Sequence, residues 1–149
     1  MRRIWQVVGA VAILALAGAC GSEDEPGADE DAPVESIAID TSRADEANLG
    51  FEMPEQETRA AHIDYSTDPA QLTLITWGSS TCPEYPTNIT WSNATTLAIA
   101  SSTDYGDVAC TMDLVPNAAV VEVPPNQDSS EAETVVLNGD EIELINGAD

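Results

Sequence analysis

Glu133-Thr134-Val135-Val136-Leu137-Asn138-Gly139-Asp140-Glu141-Ile142-Glu143-Leu144-Ile145 is the stretch that decides the fold class. Val135 and Leu137 alternate with Thr134 and Val136, and Ile142 and Leu144 alternate with Glu141 and Glu143. Such a two-residue period is that of a strand with one face buried and one face wet. Between the runs stands Asn138-Gly139-Asp140, and Asn-Gly is the pair favoured where both central turn residues need positive φ. The stretch therefore predicts a β-hairpin, with Glu141 and Glu143 on its solvated face.

The same texture extends upstream to His62. Short β-type runs cover His62–Ser66, Gln71–Trp77, Thr87–Trp91, Thr95–Ser101, Val108–Leu114 and Ala118–Val123. Turn clusters separate them, among them Thr67-Asp68-Pro69, Gly78-Ser79-Ser80 and Asp104-Tyr105-Gly106-Asp107. Regular short strands joined by such turns predict an all-β domain, a small β-sandwich over residues 59–149. Ahead of it, Val34–Ile39 reads as an extra strand. Ala44–Leu49, with Thr41 or Ser42 before it and Gly50 after it, reads as a short helix.

Charge narrows the function classes. The 149 residues hold 27 Asp and Glu against four Arg and no Lys, for a net charge of −23. Phosphate recognition needs clustered Lys and Arg, so nucleic acid is excluded as a direct electrostatic partner. Seven acids and two Pro crowd residues 21–36, a composition too poor in apolar surface to offset chain entropy. Residues 20–58 are accordingly expected to form a disordered acidic tether.

The N-terminus reads as an export signal. Arg2 and Arg3 precede the apolar run Val7–Ala17, and small residues Ala17, Gly18 and Ala19 lead to Cys20. The apolar run is short for a membrane-spanning helix, and an acidic stretch follows it in place of a basic stop-transfer cluster. Leu16-Ala17-Gly18-Ala19-Cys20 resembles the lipobox of bacterial lipoproteins, with Ala17 standing where that family favours Leu. The resemblance implies that residues 1–19 are removed and that Cys20 carries the lipid. The chain would then sit on the extracytoplasmic face of the cell membrane. Two acyl chains suffice for stable anchoring.

With Cys20 assigned to lipid, Cys82 and Cys110 remain. An exported even pair reads as one disulfide, Cys82–Cys110. Two Cys and a single His do not complete a closed zinc site. Gly78-Ser79-Ser80-Thr81-Cys82-Pro83-Glu84-Tyr85-Pro86 and Cys110-Thr111-Met112-Asp113-Leu114-Val115-Pro116 are together similar to a pattern in small uncharacterised secreted lipoproteins of Gram-positive bacteria. That resemblance implies a shared disulfide-linked β scaffold and carries no activity with it.

Chemistry is sparsely signalled. No G-x-S-x-G elbow is present, and His62 beside Asp64 or Asp68 is the one candidate base. Asp104/Asp107 and Asp113/Glu122 are carboxylate pairs of the kind that hydrolyse glycans. The oxygen-rich loops containing Asp104, Asp107, Asp140 and Glu141 are candidates for calcium. Trp77 is expected in the core, with Tyr85 and Tyr105 as surface contacts. No cofactor is implied. The sequence thus predicts a lipid-anchored envelope protein whose β domain binds or builds, with a protein or glycan partner left unspecified. A calcium- or solute-binding accessory domain and a wall-glycan hydrolase are the alternatives.

Overall fold

The computed structural model describes residues 35–145 with the exception of Gln56. The signal segment 1–19, the lipidation candidate Cys20 and the acidic run as far as Val34 lie outside the described residues. Eight strands follow one another: β1 (Asp40–Arg43), β2 (Ala60–Asp64), β3 (Gln71–Gly78), β4 (Tyr85–Trp91), β5 (Thr96–Ser102), β6 (Val115–Glu122), β7 (Thr134–Leu137) and β8 (Asp140–Ile145). A 3-10 turn, Ser129–Glu131, is capped by the Asp128 carboxylate, which accepts from the Ser130 amide. The described residues are all-β, as the alternating runs predict.

The strands form one continuous mixed sheet in the order β1-β6-β3-β2-β8-β7-β5-β4. Most neighbours are antiparallel, but β2 runs parallel to β8 and β5 parallel to β7. The sheet curls so that its two halves face each other like the layers of a sandwich. Leu72 and Leu74 of β3, Ala61 and Ile63 of β2 and Val121 of β6 meet Leu97 and Ile99 of β5 and Val135 and Leu137 of β7 in the main core. Each pair is spaced by two, so the strand period alone selects the face that is buried.

The C-terminal hairpin forms as its sequence requires. Val135 lies opposite Ile142 and Leu137 opposite Asp140, leaving Asn138 and Gly139 as a two-residue connection. Their φ values are 51° and 94°. An alanine Cβ at Gly139 would meet nothing within 4 Å, so Gly139→Ala carries only the backbone cost of that conformation. We expect a loss of about 1–2 kcal/mol, read as a shift in urea midpoint at constant slope. Gly78 differs: it ends β3 outside the left-handed region and needs no glycine there.

Three expectations ahead of β2 are corrected. The tether boundary at residue 58 falls inside the folded unit, because β1 pairs with β6 and Ala44, Leu49, Phe51 and Met53 pack with Ile75 and Ala118 on the outer face of the sheet. These few apolar side chains are diluted by acids in the sequence, which hides them from a composition argument. The helix over Ala44–Leu49 is a single turn, in which the Glu46 and Ala47 amides both donate to the Arg43 carbonyl before Gly50 turns at φ 73°. Six residues are too few to propagate a helix against the demand to bury Ala44. The extra strand is β1 at Asp40–Arg43; residues 35–39 of the expected run form no strand, and Val34 lies outside the described residues.

Val108–Leu114 is not a strand either. The segment between β5 and β6 is irregular, and its Thr111 and Asp113 side chains bond to residues 79–81 in place of a neighbouring strand. Side-chain bonds of this kind compete with ladder formation.

Candidate ligand-binding cleft

Two loops build a lobe at one end of the curled sheet. The first joins β3 to β4 and carries Cys82; the second joins β5 to β6 and carries Cys110. The Cys82–Cys110 disulfide links them, with Cα atoms 5.5 Å apart. Hydroxyl groups reinforce the junction: Ser79 Oγ and Thr111 Oγ1 lie 2.8 Å apart, and the Thr111 amide donates to Thr81 Oγ1 at 2.9 Å. The Asp113 carboxylate accepts from the Ser80 amide at 3.1 Å and from the Thr111 hydroxyl.

These bonds from the Ser80 and Thr111 side of the lobe hold the Asp113 carboxyl well below the usual carboxylate range. A depressed folded pKa adds stability that is present above the ordinary carboxylate range and lost as pH falls beneath it. We therefore expect Asp113→Asn to lower the melting temperature at neutral pH, and the gap from wild type to close on acidification below pH ~4. Melting curves of the two proteins across that range check this.

Two tyrosines seat the lobe on the sheet. Tyr85 Oη donates to the Asp104 carbonyl and Tyr105 Oη to the Pro83 carbonyl, each at 2.7 Å. The rings meet edge-on with centroids 5.2 Å apart. Burial, and then the neighbouring Tyr85, push the Tyr105 phenol up, so it stays protonated and donating. Tyr85 is buried and Tyr105 half-buried, which places Tyr85 deeper than the sequence suggested.

Beneath the lobe lies a small polar cluster. Glu84 is only 7% exposed. Its Oε1 accepts from Ser101 Oγ at 2.5 Å and from Asn138 Nδ2 at 3.4 Å, and its Oε2 pairs with Arg59 Nη2 at 3.1 Å. Asn138 also accepts from the Ser101 amide at 2.9 Å, so the hairpin turn, β5 and the lobe share one network. Breaking such a pair from one side leaves a buried charge uncompensated. Arg59 is 45% exposed, so water relieves part of that penalty. Arg59→Met should therefore cost about 2 kcal/mol, and the double variant with Glu84→Gln less than the sum of the singles. A double-mutant cycle in urea measures both.

Between the lobe and the β1–β6 edge is a cleft of about 550 Å³. Thr41 and Arg43 of β1, Ala119 of β6, and Glu84, Tyr85 and Tyr105 of the lobe side line it. Ser36 also lines it, and the neighbouring Ile37 amide donates to the Pro86 carbonyl at 2.9 Å, which ties the start of the described chain to β4. Arg43 reaches its mouth already bonded to Asp45, at 3.1 and 2.7 Å. Much of the guanidinium charge is thereby spent within the protein, and the cleft presents ring faces, hydroxyls and small apolar side chains.

The other sequence candidates scatter. Cys20 is outside the described residues. His62 stacks on Phe51, with ring centroids 4.4 Å apart, and its Nδ1 lies 3.0 Å from the Ile145 carbonyl oxygen, so its ring is occupied by packing. Asp113 and Glu122 stand at opposite ends of an extended run and do not form a pair. Asp104 accepts from the Gly106 amide within a turn that also holds Asp107, while Asp140 and Glu141 belong to the hairpin. No group of three His, Cys, Asp or Glu able to hold a metal ion occurs among the described residues. Trp77 belongs to neither core cluster; Trp91 packs on the main core and donates its Nε1 to the Pro124 carbonyl at 2.9 Å.

Sequence reasoning missed the Glu84–Arg59–Ser101–Asn138 network. One signal was available: Arg59 is one of only two basic residues beyond the N-terminal segment, and Glu84 lies between Pro83 and Pro86 in a stretch that the disulfide fixes. No protein-family model, no curated protein and no solved structure matches the chain.

Proposed function

We propose that this chain is a lipid-anchored, extracytoplasmic binding protein, held at the outer face of the cell membrane through Cys20, with the disulfide-stapled cleft as its ligand site. The cleft carries the reading. It combines a preorganised wall, an apolar lining with a Tyr85–Tyr105 pair, and hydroxyl groups on β1, the usual makeup of a small-molecule site. The Cys82–Cys110 bond supports placement outside the reducing cytosol, since structural disulfides persist in oxidising compartments. The lipobox-like run before Cys20 supports the anchor. The role is binding rather than catalysis, and the fitting ligand is not an anion and carries an apolar or ring face, because the surrounding carboxylates repel anions.

Intact mass of the protein recovered from bacterial membranes tests the anchor. The expected species begins at Cys20, carries acyl mass and lacks the two hydrogens of a reduced thiol pair. A species beginning at Met1, or one without acyl mass, overturns it. For the cleft, a fragment screen by NMR should give hits that shift Tyr85 and Tyr105 and disappear in Ala119→Phe. Hits that ignore this variant overturn the cleft assignment.

A further inference from the structure

On the hairpin side, across the Arg59–Glu84 pair from that cleft, the sheet contains a gap in one of its lanes. Strand β2 pairs with β3 and β8 only from Ala60 onward, with Ala60 opposite Ile75 on one side and Glu143 on the other. Beyond that point Thr76–Gly78 of β3 and Asp140–Ile142 of β8 have no strand between them, although β6 and β7 still pair their far edges. Strands two positions apart are separated by about 10 Å, the room one further strand needs. The chain leading into β2 leaves this lane: Thr58 gives its carbonyl to Trp77 Nε1 at 3.1 Å, and Arg59 turns to Glu84. The result is a groove of about 630 Å³.

Its floor and walls are unlike the first cleft. Trp77, Leu114 and Ile142 supply apolar surface, and Leu114 is half exposed. Glu57, Asp140, Glu141 and Glu143 border it, and its only cation, Arg59, is already paired. We infer that this lane accepts an extended segment of a partner protein carrying Lys or Arg at alternate positions with apolar residues between. The segment would add main-chain bonds to the open edge of β8, set its cations on the outer face against Glu141, Glu143 and the Trp77 ring, which the register places on one face, and turn its apolar side chains to the opposite face beside Ile142. Strand addition of this kind takes affinity from the main chain and specificity from the alternating side chains. A second copy of this chain is disfavoured, since two molecules of net charge −23 repel each other.

The probe is a synthetic peptide, about eight residues long, that alternates lysine and valine. It is titrated against the full chain by fluorescence anisotropy, with amide exchange read in parallel. Glu141→Gln/Glu143→Gln should weaken binding about tenfold, while Asp40→Asn/Glu122→Gln, which removes the same charge elsewhere, should change it by no more than about twofold. The Glu141 amide, which faces away from β7, should gain protection, and N-methylation of the peptide along one edge should abolish binding. Equal weakening by the two double variants would show mere attraction to an acidic surface and overturn the inference. So would undiminished binding of the N-methylated peptide, protection at β1 or β4 instead of β8, or no binding at all. None of these outcomes touches the Ala119→Phe test of the other cleft.

Discussion

Leu72→Ala should lower stability by about 3–4 kcal/mol and the melting temperature by about 15 °C. Leu72 has no exposed surface and lies in register between Ile63 of β2 and Val121 of β6, all three in the main core. Those strands cannot close over the vacated space, because each is fixed on both sides by its ladder neighbours. Most of the cavity therefore persists, and its cost adds to the lost transfer free energy of the deleted carbons. Thr90→Ala is the matching control: Thr90 is exposed on β4, at the sheet edge, and its truncation should move stability by less than ~0.5 kcal/mol. Urea unfolding of both variants at unchanged slope distinguishes the outcomes. A loss under ~1.5 kcal/mol for Leu72→Ala would mean that the two halves of the sheet do not share one tightly packed core.

That core was largely visible in the residues themselves. Leu72/Leu74, Leu97/Ile99 and Val135/Leu137 announce their faces by alternation, and Asn138-Gly139 fixes the one turn that two residues can specify alone. The parallel pairings of β2 with β8 and β5 with β7 were not visible, because they join runs about 80 and 40 residues apart by backbone bonds that carry no side-chain signature. Val108–Leu114 failed for a different reason. Its composition suits a strand, but the disulfide and the Thr111 and Asp113 side chains commit it to the lobe. The cleft was legible only in its parts: Tyr85, Tyr105 and the two cysteines were singled out, while Arg43 and Ala119 reach it through the β1–β6 pairing, a long-range contact. Glu84 became meaningful only once Arg59, Ser101 and Asn138 converged on it from three other elements.

Removing the disulfide should be the second large effect, and its distribution is more informative than its size. Cys82 and Cys110 are 28 residues apart in sequence, and closing a loop of that length is worth about 3.5 kcal/mol in the chain-entropy account. The Cys82→Ala/Cys110→Ala variant should accordingly melt about 10–15 °C lower. Everything between the cysteines except the lobe is held independently, by the β4–β5 ladder and by β5 against β7. Strand content in far-UV circular dichroism should thus survive at 20 °C or so, with exchange rising first in residues 103–114. The seatings of Tyr85 and Tyr105 on backbone carbonyls should then loosen together, because each spans the junction that the disulfide closes. Fragment binding in the cleft should fall in the same variant, while binding of the lysine–valine peptide, whose groove takes only Leu114 from the lobe and otherwise rests on β3, β8 and the chain entering β2, should fall less. A melting temperature within ~3 °C of wild type would assign the junction to the Ser79, Thr81, Thr111 and Asp113 bonds instead.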